Sequence, residues 1–235
     1  MYTASAEFSR DTEMMRGGYF DNYYMQLIYN VQRAKGTAPV IVQDSRKPIN
    51  VTGGFDQWAD VTVTYTDAKG DVADRNATGF GKTPYKNTSG RNDIVSAKVT
   101  SDTKNLYFYV STVYDISMFD TDSSWMQLYL NVDGDITTGW EGYDFVINRK
   151  GTKNRATVEK YVRTLEEGSF TWEQIGTAEL RTSGDTLTIA IPRALLGLEG
   201  KLNFEFKWSD NMQEATVMDF YANGDTAPIG RFNYL

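Results

Sequence analysis

WMQLYLNVDGDITTGWEGYDFVINR, residues 125–149, is the stretch on which the fold turns. Met126, Leu128, Leu130 and Val132 alternate with Trp125, Gln127, Tyr129 and Asn131, which is the period of two of a half-buried strand. Tyr143, Phe145 and Ile147 alternate in the same way with Asp144 and Asn148, up to Arg149. Between the two strands lie Asp133, Gly134, Asp135, Gly139 and Trp140, and three readings of that connection stand side by side. It is a tight turn whose Asp-Gly supplies a positive φ. It is a calcium loop, in which Asp133 and Asp135 join turn carbonyls to build an oxygen shell. Or it is a sugar platform, with the Trp140 indole laid against a pyranose ring.

The same period runs outward in both directions. Val95, Ala97 and Val99 alternate with polar neighbours, as do Leu106, Phe108 and Val110, and further runs lie at 170–175, 187–191 and 202–208. Turn signals separate them at 101–105, 132–135, 166–169 and 182–185. Short strands with tight turns predict a mainly β fold, an antiparallel β-sandwich of immunoglobulin or jelly-roll type. Only IPRALLGL, 191–198, reads as a helical turn within it, and 66–92 is a long polar stretch without periodicity. Upstream the period changes. Phe20, Tyr24, Leu27, Ile28 and Val31 recur at three- and four-residue steps between Gly18 and Gly36, predicting an amphipathic helix over 18–35. The chain therefore divides into an N-terminal helical appendage with its linker, 1–48, and a sandwich, 49–235.

Composition narrows the chemistry. The 235 residues carry a formal charge of −7, which argues against nucleic-acid or anionic-membrane partners. With no cysteine and no histidine, thiol nucleophiles, Cys/His zinc sites and imidazole proton shuttles are removed, leaving carboxylate chemistry. Two carboxylates at the right spacing suffice for glycoside hydrolysis. With 31 acidic residues, however, such a pair carries little information, so the chain is read as non-catalytic by itself. The first twenty residues hold no apolar run, and a secretory signal is expected upstream of them.

Five segments together carry a resemblance: INVTGGFDQWADV (49–61), GRNDIVSAKVTSDTKNLYFYV (90–110), WMQLYLNVDGDITTGWEGYDFVINR (125–149), IPRALLGL (191–198) and FKWSDN (206–211). In kind and in order they resemble the sandwiches related to family 9 carbohydrate-binding modules and DOMON-like domains. AEFSRDTEMMRGGYFDNYYMQLI, 6–28, is similar to the last strand, loop and helix of glycan-cleaving (β/α)8 barrels, with Ala6 where those have asparagine and with Glu7 and Glu13 as remnants of a site. The resemblance implies an extracellular, periplasmic or surface-bound bacterial protein. This chain would be the C-terminal, polysaccharide-binding part of a larger enzyme, monomeric and attached to an upstream catalytic domain. It implies a structural calcium. Haem, the other DOMON-like ligand, is disfavoured because histidine is absent.

The candidate binding residues follow from the alternation. Trp125, Gln127 and Tyr129 share the face opposite Met126 and Leu128, and Tyr107 and Tyr109 oppose Leu106 and Phe108, giving an aromatic and amide surface across two strands. Either a sugar or a covering segment satisfies such a face. Trp140 caps the core or stacks on a sugar. Asp144 and Asn148 project from the next strand, and Arg149 reaches a sugar hydroxyl or an ion-pair partner. Asp133 and Asp135 are the candidate calcium ligands.

Overall fold

The computed structural model describes residues 27, 31–32, 34–37, 46–78, 84–88, 90–119, 124–166, 168–198, 200, 202–213, 219–228 and 233–234. Twelve strands occur among them. They are β1 (Tyr65–Thr66), β2 (Arg75–Thr78), β3 (Pro84–Asn87), β4 (Ile94–Ser101), β5 (Asn105–Thr112), β6 (Gln127–Asn131), β7 (Phe145–Ile147), β8 (Arg155–Arg163), β9 (Phe170–Ser183), β10 (Thr186–Pro192), β11 (Glu205–Asp210) and β12 (Asp225–Ala227). Ten of them form one antiparallel sheet in the order β1-β4-β5-β10-β9-β8-β7-β6-β11-β12, and β2 pairs with β3 as a separate hairpin. The long sheet curls towards closure. The amide of Ile94, at the start of β4, donates to the Asp225 carboxylate at the start of β12, 2.6 Å away. Fold class is thus mainly antiparallel β, almost without helix, and nearly barrel-shaped.

Alternation dictates the interior. Leu106, Phe108 and Val110 of β5, Leu128 and Leu130 of β6, Phe145 and Ile147 of β7, Leu187, Ile189 and Ile191 of β10, and Phe206 and Trp208 of β11 meet in one apolar core. Fully burying a side chain of this size contributes about 1.5–3 kcal/mol. On β4 the expected run Val95, Ala97, Val99 is broken by a bulge between Ile94 and Ser96, so the core residues are Ile94, Ala97 and Val99. The helical turn within 191–198 is present as α1 (Arg193–Leu196), stopped by Gly197 at φ 69°. The polar stretch 66–92 is not one loop, since it contains the β2–β3 hairpin.

The outer face of the sheet is covered in two places. Residues 47–61 strap across β5 and β10, where Ile49, Val51, Trp58 and Val61 pack on Tyr107 and Ala190. The Lys98 ammonium ties the strap down through the carbonyls of Trp58 (3.1 Å) and Val61 (3.0 Å). Over β6 and β7, Met212, which follows β11, and Phe220, from α2 (Asp219–Ala222), close on Tyr129, Trp140, Tyr143 and Val146. The helix expected over 18–35 lies mostly outside the described residues. Its residues 27, 31, 32 and 34 are helical, with Leu27 and Val31 exposed at 48% and 43%.

Candidate functional site

The opening loop resolves into a side-chain-stabilised turn. Asp133 accepts the amide of Asp135 (2.8 Å) and the hydroxyl of Thr138 (2.9 Å). Asp135 accepts the amide (2.8 Å) and hydroxyl (2.6 Å) of Thr137, which hold its carboxyl below the ordinary range. Gly134, at φ 73°, has the positive φ that the Asp-Gly reading requires. Both candidate calcium ligands thus take part in the hydrogen bonding of their own turn, by local Asx bonding that the type of residue alone does not distinguish from metal ligation.

The candidate binding residues are placed together less than their alternation promises. Trp125 lies in the core beside Met126, against the edge of Phe119, and its indole donates to the Ser117 carbonyl (3.0 Å). The cause is the backbone on both sides of Trp125, where Ser124 at φ 50° and Met126 at φ 41° break the alternation and both large side chains end up buried. Asn148, itself at φ 69°, holds that kink by donating to the carbonyls of Trp125 (3.0 Å) and Met126 (3.2 Å). Tyr107 and Tyr109 do occupy the outer face, but under the strap. The Tyr107 hydroxyl donates to Asp102 (2.7 Å), and the Tyr109 ring lies 5.3 Å from Trp58. Burial, reinforced by the Asp102 bond, raises the Tyr107 phenol, and burial raises Tyr109. Gln127 and Tyr129 are also outward and also covered, with the Tyr129 hydroxyl donating to the Gln127 carbonyl (2.8 Å). Burial drives the Tyr129 phenol well above its ordinary value.

What stays partly open is the end of the outer face on β8 and β9. Tyr161, Phe170 and Trp172 pack against the covered cluster yet are not buried. Tyr161 stacks on Phe170 (centroids 5.2 Å, 27°), Trp172 meets both edge-on, and Trp140 stands behind Trp172 at 6.3 Å. Register explains the grouping. Tyr161 pairs with Trp172, Arg163 with Phe170 and Glu159 with Gln174, so all six share one face. Arg149 folds onto this face as well: its Nε (2.8 Å) and Nη2 (2.5 Å) both donate to one oxygen of Glu159, whose other oxygen accepts the Thr157 hydroxyl (2.8 Å). Of the expected binding residues, Trp140 and Arg149 thus border the open platform. Tyr161, Phe170 and Trp172 were missed, although FTWEQ, 170–174, carries the signal, since Phe170, Trp172 and Gln174 alternate with polar neighbours.

Asp144 lies across from Tyr161, whose amide donates to its carbonyl (2.8 Å), and its carboxylate accepts the amide of Val132 (2.8 Å). Burial, only partly offset by that bond, raises its carboxyl above the ordinary carboxylate range. Because the folded state holds this proton more tightly than the unfolded chain, Asp144 adds stability as pH falls through its folded pKa. The contribution is lost again as pH rises. Between about pH 7 and about pH 4.5 the melting midpoint of the wild type should therefore gain on that of Asp144→Asn, which thermal unfolding in matched buffers measures.

The opposite end of the sheet gathers acid. Carboxylate oxygens of Asp67, Asp71 and Asp225 lie within 4.8 Å of one another, with Asp71 and Asp225 buried. Asp225 uses its two oxygens for the amides of Ile94 (2.6 Å) and Thr226 (2.7 Å). Burial, then the charges of Asp67, Asp225 and Asp71, push the Tyr234 phenol well above its ordinary value. A donor set made only of carboxylates fits a hard divalent cation, which takes oxygen ligands. Asp67 and Asp225 are 158 residues apart by numbering (225 − 67), so nothing local in the sequence announces the group. Among the described residues no helix is long and apolar enough to cross a membrane. No protein family, curated relative or solved structure matches this chain.

Proposed function

We propose that this chain is a non-catalytic, carbohydrate-binding β-sandwich domain, with the two halves of the curled sheet as its layers, an N-terminal helical appendage and an exported parent protein. The observation that carries the reading is the partly open platform of Tyr161, Phe170 and Trp172 beside the Arg149–Glu159 pair. Aromatic faces meet the C–H bonds of a pyranose, and planar polar groups at their edge take its hydroxyls. A platform of this size accommodates one or two sugar rings, so affinity falls on the order of 10 µM to 1 mM, or ~4–7 kcal/mol.

Affinity electrophoresis through gels containing polysaccharides tests this. The wild type should be retarded by at least one of them. Trp172→Ala removes ~1.5–3 kcal/mol of apolar contact and should migrate as in an empty gel while still folded at the temperature of the gel, which its unfolding curve checks. Equal retardation of the variant, or none of the wild type by plant and microbial glycans, sinks the proposal.

The structural calcium that the resemblance implies is assigned, on donor chemistry, to Asp67, Asp71 and Asp225 in place of Asp133 and Asp135. Adding calcium to chelator-treated protein should raise the melting midpoint. Asp225→Asn should abolish that rise and Asp135→Asn keep it, and a midpoint indifferent to calcium removes the ion from the account.

A second reading is a ligand-free domain that braces an upstream glycoside hydrolase barrel. Leu27 and Val31 favour it: one helical turn apart and both exposed, they offer an apolar stripe to such a neighbour.

A further inference from the structure

Resting on the carbohydrate reading, we infer that Arg149 is the hydroxyl-recognising residue of the platform and that its glycan is uncharged. A guanidinium has five N–H donors. Glu159 takes one from Nε and one from Nη2, both on Oε2, which leaves the Nη1 edge for a ligand. The Arg149 side chain is 30% exposed while Glu159 is 1% exposed, so the pair is anchored from below and open above. The anchor is itself fixed, since Thr157 occupies the other Glu159 oxygen.

Position and charge then select the ligand. The Glu159–Gln174 pair lies one step along the same face from the Tyr161–Trp172 pair, which is about 7 Å at strand spacing. A pyranose lying on Trp172 therefore turns its ring hydroxyls towards the guanidinium edge. Because that edge is already ordered, binding costs little side-chain entropy. Arg149 and Glu159 cancel in charge and the chain carries −7, so a uronate or sulfate finds no net cation there. Arg163, at the far end beside Phe170, is a solvated single charge whose pull is weakened by exposure and salt.

Calorimetric titration with neutral cello-, xylo-, manno- and laminari-hexaose and with hexagalacturonate, against wild type, Arg149→Lys, Glu159→Gln and Trp172→Ala, tests the inference. The wild type should bind at least one neutral hexaose and should not prefer hexagalacturonate. Arg149→Lys keeps the charge and loses the planar fork, so neutral affinity should fall about tenfold or more. Glu159→Gln unmasks the cation and should raise affinity for hexagalacturonate at low salt. Loss of neutral binding in Trp172→Ala without loss in Arg149→Lys overturns the role of Arg149 and leaves the carbohydrate reading standing. Preference of the wild type for hexagalacturonate overturns the uncharged ligand. Absence of binding by every probe overturns the inference together with the reading beneath it.

Discussion

Replacing Arg91 by alanine should cost this fold ~3–5 kcal/mol at neutral pH, the range for stripping a buried charge of its partner. Arg91 donates from Nε to Asp210 at 2.8 Å and from Nη2 at 3.4 Å, and the Asp210 side chain is 0% exposed. The same carboxylate accepts the amide of Met126 at 2.9 Å, within the left-handed kink, and Asp210 pairs across the ladder with Asp225 of the acidic group. Burial raises the Asp210 carboxyl, and Arg91 opposes that rise. Without the guanidinium the folded-state pKa climbs further. The deficit is then full at neutral pH and shrinks as pH falls through the folded pKa, where the carboxyl takes up a proton. Urea unfolding of Arg91→Ala should therefore show a stability gap from wild type that is wide at about pH 7 and narrower at about pH 5. A constant gap contradicts the assignment.

Trp58→Ala should be as damaging, at ~3–5 kcal/mol, because it removes the largest side chain with which the strap is anchored to the sheet. Trp58 is 2% exposed, its indole donates to the Thr188 hydroxyl at 3.0 Å, and its carbonyl receives the Lys98 ammonium at 3.1 Å. Truncation leaves a hole above Tyr107 and Ala190 and an unanswered hydroxyl within it. The strap lies outside the sheet, so the loss should fall first on its own opening. Amides of residues 47–61 should exchange with solvent faster than those of β5 and β10 beneath them. Trp58→Phe, which refills most of the volume and lacks the indole donor, should recover all but about 1 kcal/mol.

These sites show which parts of the molecule could be read from the chain. Strands whose side chains alternate between one apolar and one polar face announce themselves, and Leu106, Phe108 and Val110 lie inward as their spacing demands. The pattern says nothing about what covers the other face. Tyr107, Tyr109, Gln127 and Tyr129 point outward as expected, yet distant segments lie over them. A tyrosine suited to a sugar is equally suited to a strap, because both partners want a flat apolar face with a polar tip. Period also fails where the backbone leaves the extended region. Positive φ at Ser124 and Met126, on either side of Trp125, moves it from the binding face into the core. The acidic group was illegible for another reason, since the curl of the sheet, which brings its edge strand β12 round towards β1 and β4, and not proximity in sequence, carries Asp225 to Asp67 and Asp71.

The most direct test of the carbohydrate account uses the five indole N–H resonances of 15N-labelled protein, from Trp58, Trp125, Trp140, Trp172 and Trp208. Trp58, Trp125 and Trp208 are 2%, 2% and 0% exposed and Trp140 is 8% exposed, whereas Trp172 stands at the open platform. Titration with a soluble oligosaccharide of the retarding polysaccharide should shift the Trp172 indole most, Trp140 behind it less, and the other three not at all. Shifts centred on Trp58, Trp125 or Trp208, or a spectrum unmoved at millimolar ligand, would contradict it.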